Sequence, residues 1–487
     1  MDKLRPLLIG LFAPFWFFAP FALLGWLPFY IFRTFVKLLA HWLRPDLISM
    51  LAPKDAFFSS DRIHTCTRNS LVVSIELKGQ IDPNHIRKLL NTKILQSRDQ
   101  NGNLLYPEIG WSMRHWLGFP FWSQASLIED NVRVSSEDVD LKQLQAQLAV
   151  QEYRENAPLW ELVLHTNCVL LRWHHSLSDG YGMLLLHEEL RTLGTAKKLR
   201  PVVPSRKSIG TSFLPYLALP YDLIKLFVEL LLTEWFPLDK KSWTKFNAKS
   251  SPLETSARLC SHTSEAIPFS VIRKLGVKFG VNGTAVLHSA ILGGLRTFFL
   301  ANGRNIPSSV AVETPIPESV ERKRRLGNNV TLRCYSAPLG SLDAQTRLRL
   351  VHSGILSMKR STFPLAMTLA VAALGHLPRT LLRFTFAAND KRQRIFISNL
   401  AGFEEATDFC GHQVENISMA AGIYVGNAGI GITLISSGGE LRVTVLADRN
   451  ILHDDLCALR VTENFMAELD LLRAACPDGN KDDTFTI

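Results

Sequence analysis

Two adjacent histidines, His174 and His175, end an apolar run that begins at Cys168, and Asp179-Gly180 follows shortly after. A neutral imidazole can both accept and return a proton near neutral pH. Beside a hydroxyl, His175 can take the proton while the oxygen attacks an acyl carbonyl. Asp179 can turn back to hold the loop or bind an arginine, and Gly180 lets the chain turn sharply. A metal pair or a buried structural pair is the rival reading of two neighbouring histidines. The elements that would position them can be read from the flanks. Glu161 to Leu164 and Cys168 to Leu171 are apolar runs separated by Thr166-Asn167, which predicts a hairpin whose second strand ends at the histidines. Met183, Leu186, Leu190 and Leu193 then recur at helical spacing, with Gly194 as a stop. The histidines are thus expected on a strand–loop–helix connection, a common seat of catalytic groups.

His174-His175-x-x-x-Asp179-Gly180 resembles the signature of chloramphenicol-acetyltransferase-like, coenzyme-A-dependent acyltransferases and of peptide-synthetase condensation domains. Pro158-Leu159-Trp160 just upstream is similar to an element of the wax ester synthase/diacylglycerol acyltransferase family. Val281-Asn282, Leu326-Gly327-Asn328, Ser398-Asn399 and Leu446-Ala447-Asp448-Arg449 follow in the order of that family's later motifs. The resemblance covers roughly residues 50 to 475. The chain departs from it at Gly283, where the family has an acidic residue, and at the turn after Asn399, which lacks the family's proline.

The resemblance implies two α/β lobes with a chloramphenicol-acetyltransferase-like fold and a site in a tunnel between them. His175 would be the general base, His174 its orienting neighbour, and Asp179 the group that holds the loop. Gly180, Asn282, Ser398 and Asn399 would lie along the substrates, with Ser398 and Asn282 as candidate oxyanion donors. Asn282 can equally cap the helix that follows it. The co-substrate would be acyl-CoA, with no resident cofactor. The acceptor would be a long-chain alcohol, giving a wax ester, or diacylglycerol, giving triacylglycerol. A lipid-binding protein without turnover, or an enzyme for another hydroxyl acceptor, stays open.

Composition sets the setting. The net charge of +10 fits an anionic lipid surface or a phosphorylated co-substrate. Nucleic acid is the usual alternative, but no recognisable module accompanies the charge. Seven scattered cysteines show neither metal spacing nor a disulfide framework and fit a reducing compartment. Pro6 to Phe32 contains no charged residue and is dominated by Phe, Leu and Trp. As a helix it would reach about 40 Å, enough to cross a bilayer, while Pro14, Pro20 and Pro28 allow a kinked span or a re-entrant hairpin. Arg33, Lys37 and Arg44 behind it favour a catalytic body facing the cytosol, with the endoplasmic reticulum as the expected membrane.

These signals divide the chain into an anchor over 1–50, a first lobe over 51–196, a connection over 197–258, a second lobe over 259–475 and a disordered tail over 476–487. In the first lobe, Leu71–Leu77 alternates as a strand and Asp82-Pro83 opens a helix. Trp111, Trp116, Phe119, Phe121 and Trp122 are aromatic enough to line a lipid pocket or simply to fill a core. In the connection, Leu223 to Leu232 reads as an amphipathic helix, lying on either the bilayer or the lobes. In the second lobe, Thr284 to Leu300 is a helix, the basic loop Arg322–Arg325 could meet a coenzyme A phosphate, and Leu365 to Phe386 is apolar and helical. Strands near Ile417–Val425, Ile430–Ile435 and Leu441–Leu446 are expected to close that lobe's sheet.

Overall fold

The computed structural model describes residues 5–193, 214–227, 259–318, 324–389, 394–421, 429–449 and 451–475, except positions 66, 68, 127 and 137. Pro14 and Pro20 mark breaks in the N-terminal segment, whereas Pro28 lies inside a helix. A helix over Arg5–Phe12 gives way to a 3-10 turn at Pro14, and α1 (Ala19–Leu43) begins with Pro20 in its first turn, where no backbone hydrogen bond is lost. Strand β1 (Leu47–Met50) follows.

In β2 (Ser70–Leu77) the alternation separates two cores. Leu71, Val73, Ile75 and Leu77 pack with Trp160, Leu171 and Trp173, whereas Val72 packs on the other side with Leu144, Leu148 and Leu170. Asp82 caps α2 (Pro83–Leu90), its carboxylate accepting from the Asn84 N–H. The aromatic stretch forms the hairpin of β3 (Trp111–Trp116) and β4 (Phe119–Gln124), turned by Leu117 and Gly118, both at positive φ. It makes a small sheet in the order β1-β4-β3. Phe119 and Phe121, with Trp116, pack against Val36, Ala40 and Leu47 beneath α1, and Trp122, with Trp111, packs in the first lobe's core, so the cluster fills core.

After β5 (Val132–Val134) and α3 (Leu141–Val150), the predicted hairpin is present as β6 (Trp160–His165) and β7 (Cys168–His174), with Leu162 opposite Leu171. Helix α4 (Gly180–Leu190) follows, so the histidines do lie between a strand and a helix.

The second lobe opens with β8 (Leu259–Thr263), β9 (Ile267–Pro268) and α5 (Phe269–Phe279). Helix α6 (Gly283–Ala301) is apolar over most of its surface because most of it, from Ala285 to Leu295 with Phe298 and Phe299, is buried. Strands β10 (Val310–Pro317) and β11 (Val330–Ala337) precede α7 (Ala344–Arg360), α8 (Phe363–Leu374) and α9 (Arg379–Asn389). The apolar stretch from Leu365 is therefore two helices, divided at Pro378, and neither is long enough to span a bilayer. Then come β12 (Arg394–Ala401), β13 (Asp408–Phe409), β14 (His412–Ala421), β15 (Gly429–Ser437), β16 (Glu440–Asp448) and α10 (Asp455–Ala474).

One expectation about this lobe is corrected. Its sheet runs β11-β10-β12-β15-β16-β8, with β9 beside β16, and β14 is not in it. Instead β14 crosses to pair antiparallel with β2, extending the first lobe's sheet to β13-β14-β2-β7-β6-β5. Alternation fixes which face of a strand is apolar and leaves its neighbour open. In the connection, the helix Leu219–Phe227 packs Leu219 and Leu226 against Phe363 and Ala366 of α8, so this part meets the lobe. The rest of the expected helix to Leu232, the basic opening after Lys197, Arg322, the end of the strand expected to Val425, and the tail over 476–487 lie outside the described residues.

Candidate active site

His174 is the last residue of β7 and fully buried. Its Nδ1 accepts the Ser176 N–H at 3.1 Å, so the ring proton sits on Nε2, which donates to Asp61 at 3.0 Å. With both nitrogens occupied, His174 has no lone pair for a substrate; it anchors the loop to Asp61.

His175 is arranged differently. Its backbone N–H donates to the Asn69 carbonyl at 2.7 Å, Phe58 stacks on its ring at 4.3 Å, and its side chain is only half-buried. Nδ1 lies 2.9 Å from the side-chain oxygen of Asn328. The orientation of that amide is fixed by its other end: Nδ2 donates to the His175 carbonyl at 2.7 Å and to Asp55 Oδ1 at 2.9 Å. The Asn328 oxygen must therefore accept, Nδ1 of His175 carries the proton, and Nε2 of the neutral ring keeps its lone pair. Burial lowers the pKa of His175 below the ordinary 6.5; the Asn328 hydrogen bond and the Asp179 charge pull the other way, and His174 adds to the lowering. The ring is neutral at pH 7, as a base must be.

Asp55 is buried and is held by three donors. The Asn328 N–H and side-chain amide reach Oδ1 at 3.0 and 2.9 Å, and Arg324 pairs with Oδ2. Arg324 also bonds Glu108 at 3.3 Å, and Arg325 pairs with Glu189 and donates to Tyr106 at 2.7 Å. Both described arginines of the basic loop thus serve carboxylates of the first lobe, which argues against a phosphate role for them.

Asp179 links the same two segments. Oδ1 accepts the Gly182 N–H at 2.8 Å and so caps α4; Oδ2 accepts the Asn329 N–H at 2.8 Å. The Gly327 N–H donates to the Leu177 carbonyl at 3.1 Å, and the Asp179 N–H to the Gly327 carbonyl at 3.3 Å. Residues 324–329 of the second lobe are therefore latched across the histidine loop. Gly327, at φ +106°, provides the turn that lets them lie there.

Gly180 opens α4 with Leu400 of β12 so near that an added Cβ would sit 3.3 Å from it. Ser398 is buried within β12 opposite Thr433, and Asn399, next along, is exposed. The end of β12 thus borders the loop through Leu400. Asn282 caps α6, its side-chain oxygen accepting the Ala285 N–H at 2.8 Å; no hydrogen bond ties it to the histidine loop among the described residues. The residues that sequence reasoning left without a role are Asp55, Phe58, Asp61 and Asn328. Only Asn328 carried a signal, as the end of Leu326-Gly327-Asn328.

Residues 326–472 match the family model of the WS/DGAT C-terminal domain. A protein of Mycobacterium tuberculosis (strain CDC 1551 / Oshkosh), provisionally named a diacylglycerol O-acyltransferase, is 24% identical over 336 residues, 61% of this chain. The match spans less than two thirds of that relative, 64% of its length. Among solved structures, the wax ester synthase/diacylglycerol acyltransferase of Marinobacter aquaeolei VT8 superposes with a TM-score of 0.55 at 16% identity, covering 88% of this chain and 100% of that one. The trichothecene 15-O-acetyltransferase of Fusarium sporotrichioides reaches 0.60 at 10% identity, covering 87% and 95%. The fold is the two-lobed α/β architecture of the chloramphenicol-acetyltransferase-like proteins, and residues 326–472 are similar to the C-terminal domain of the wax ester synthase/diacylglycerol acyltransferase family.

Proposed function

We propose that the protein is a membrane-associated O-acyltransferase that moves a fatty acyl group from acyl-CoA to a long-chain alcohol or to diacylglycerol. The observation that carries this reading is the tautomer of His175, whose Nδ1 is committed to Asn328 and whose Nε2 is left with a lone pair. Nε2 takes the acceptor's hydroxyl proton as the oxygen attacks the thioester carbon. The tetrahedral oxyanion collapses, the carbon–sulfur bond breaks, and the proton passes from Nε2 to the departing thiolate of coenzyme A. The attack is direct, and no acyl-enzyme is required. His174 and Asp179 hold the loop, Gly180 and the end of β12 border it, and of the two candidate oxyanion donors we favour Ser398, which lies on the strand that borders the loop, over Asn282, which no hydrogen bond ties to the loop among the described residues. The family resemblance favours the alcohol as acceptor. The basic residues behind the N-terminal segment favour an endoplasmic reticulum membrane with the body on the cytosolic side.

The test is ester formation by membranes carrying the wild-type chain or His175→Ala, supplied with labelled palmitoyl-CoA and either hexadecanol or diacylglycerol. Activity in the wild type that falls by orders of magnitude in the variant supports the reading, and the preferred acceptor names the reaction. Equal activity in both removes His175 as the base. Folded protein with no activity on any acceptor points to a lipid-binding protein.

A further inference from the structure

Helix α1 is long and apolar enough to cross a bilayer by composition. Its two sides, however, differ. Arg33, Val36 and Ala40 form a buried stripe, while Ile31, Phe35, Leu38 and Trp42 on the opposite side are 55 to 81% exposed. The buried stripe is tied to the body. Arg33, midway along, donates to the Gly375 carbonyl at 2.9 Å and to the Leu51 carbonyl, with its guanidinium over the Phe119 ring. Contacts recur along the whole segment. Phe12 lies 5.8 Å from the Tyr221 ring, Trp16 donates to the Tyr216 carbonyl at 3.3 Å, Trp26 meets His376 at 4.6 Å, and Phe32 meets Phe119 at 5.6 Å. A crossing takes about 20 consecutive residues through lipid, whereas from Phe12 to Ala40 contacts with the body recur at shorter intervals.

Two other elements also present exposed apolar side chains, and α1 packs on one of them, the β3–β4 hairpin, through Phe32 and Phe119. The hairpin tip at Gly118 accepts the Arg379 N–H at 2.7 Å, which places the start of α9 beside it. There Leu117, Leu381 and Phe384 are 50, 44 and 73% exposed. Exposed large apolar side chains on three elements packed beside one another point to an interaction face. Cations border it: Lys37 is exposed on α1, and Arg62 and Arg383 lie close enough to Arg379 for their charges to act on it. Bulky apolar and aromatic side chains rimmed by Lys and Arg match an anionic lipid surface, with the rings among the acyl chains and the cations at headgroup level.

We propose that the protein docks on one leaflet of an anionic bilayer through the outer side of α1, the β3–β4 tip and α9, with α1 lying in the membrane plane and crossing nothing. The inference rests on the membrane-associated reading above and offers docking on one leaflet in place of a crossing. Binding is measured without turnover, so failure of docking and failure of catalysis are distinguishable.

The full chain would be sedimented with sealed phosphatidylcholine vesicles, with and without phosphatidylserine, alongside the variant Phe35→Glu/Trp42→Glu/Phe384→Glu. All three positions are exposed, so the fold should survive, and the thermal midpoint checks that. The wild type should bind the anionic vesicles and be released by alkaline carbonate. The variant should bind about tenfold more weakly or worse. An N-terminal tag should be cut by protease added outside. Three results would overturn the proposal: a protected tag with carbonate-resistant binding, which means a crossing; undiminished binding by the folded variant; or a wild-type oligomer without vesicles that the variant disperses, which makes a second copy the occupant.

Discussion

The histidine loop of the first lobe and the 324–329 segment of the second meet face to face, and they divide one task. The first supplies His175, the proposed base. The second supplies Asn328, which decides which nitrogen of that base carries the proton. Neither is sufficient alone: a histidine without a fixed tautomer spends part of its time with the wrong nitrogen toward the hydroxyl. The same contrast separates His174 from His175. They are neighbours in sequence, yet one has both nitrogens occupied inside a core and the other has one free in a half-buried site. In the proposed mechanism, the base of one lobe is thus made competent by the docking of the other.

The comparison breaks most severely if the base itself is removed. His175→Ala should lower kcat by about a hundredfold to ten-thousandfold, the usual range for a general base, with an unchanged thermal midpoint. Asn328→Ala should cost less, about tenfold in kcat, the equivalent of one hydrogen bond of 1–1.5 kcal/mol. Its distinguishing readout is pH. The base must be neutral, so kcat/KM rises with pH through the pKa of His175, and burial already holds that value below 6.5. The Asn328 hydrogen bond opposes the lowering, so its loss should move the acid limb to still lower pH while the plateau drops. A limb that stays put while the plateau falls would reduce Asn328 to a packing residue.

Asp61→Asn tests the other histidine. It weakens the buried anchor of His174 and should cost stability, about 1–3 kcal/mol by chemical denaturation, with a much smaller change in kcat per folded molecule than at His175. A kcat loss equal to that of His175→Ala would return His174 to the chemistry.

What the sequence disclosed follows the range of the forces involved. The strand, the histidines and the helix after Gly180 are local, written in apolar spacing and an aspartate cap, and they were legible. Asp55 and Asn328 stand 273 residues apart, and nothing near either announces the other. Asp61 and Phe58 likewise gain their roles only when the chain returns to His174 and His175. The same limit explains β14, whose alternation was readable while its partner β2 was not. At the N-terminus, composition revealed an apolar helix and its prolines. The decisive residue, Arg33, lies just past the uncharged run, and only packing shows that its charge is satisfied by carbonyls of the body. Helix α6 makes the converse point, as apolar as a span and yet a core helix.

The smallest effect belongs to the outer end of the latch. Arg325 and Glu189 are 44 and 39% exposed, so water and salt screen the attraction, and two long side chains lose rotamer freedom to make it. Arg324 differs, because its partner Asp55 is buried and also bonds Asn328, so a change there is felt at the base. Arg325→Gln should therefore lower stability by less than about 1 kcal/mol and leave both kcat and the pH profile of His175 as they were. Measured side by side with Arg324→Gln, it asks whether the latch acts by gripping the lobes or by aligning Asn328. If Arg325→Gln proves as damaging to kcat as Arg324→Gln, grip is what matters and the Asp55–Asn328–His175 chain is only one contact among several. If the loss is confined to Arg324→Gln, the second lobe acts on the reaction through the one amide that faces the base.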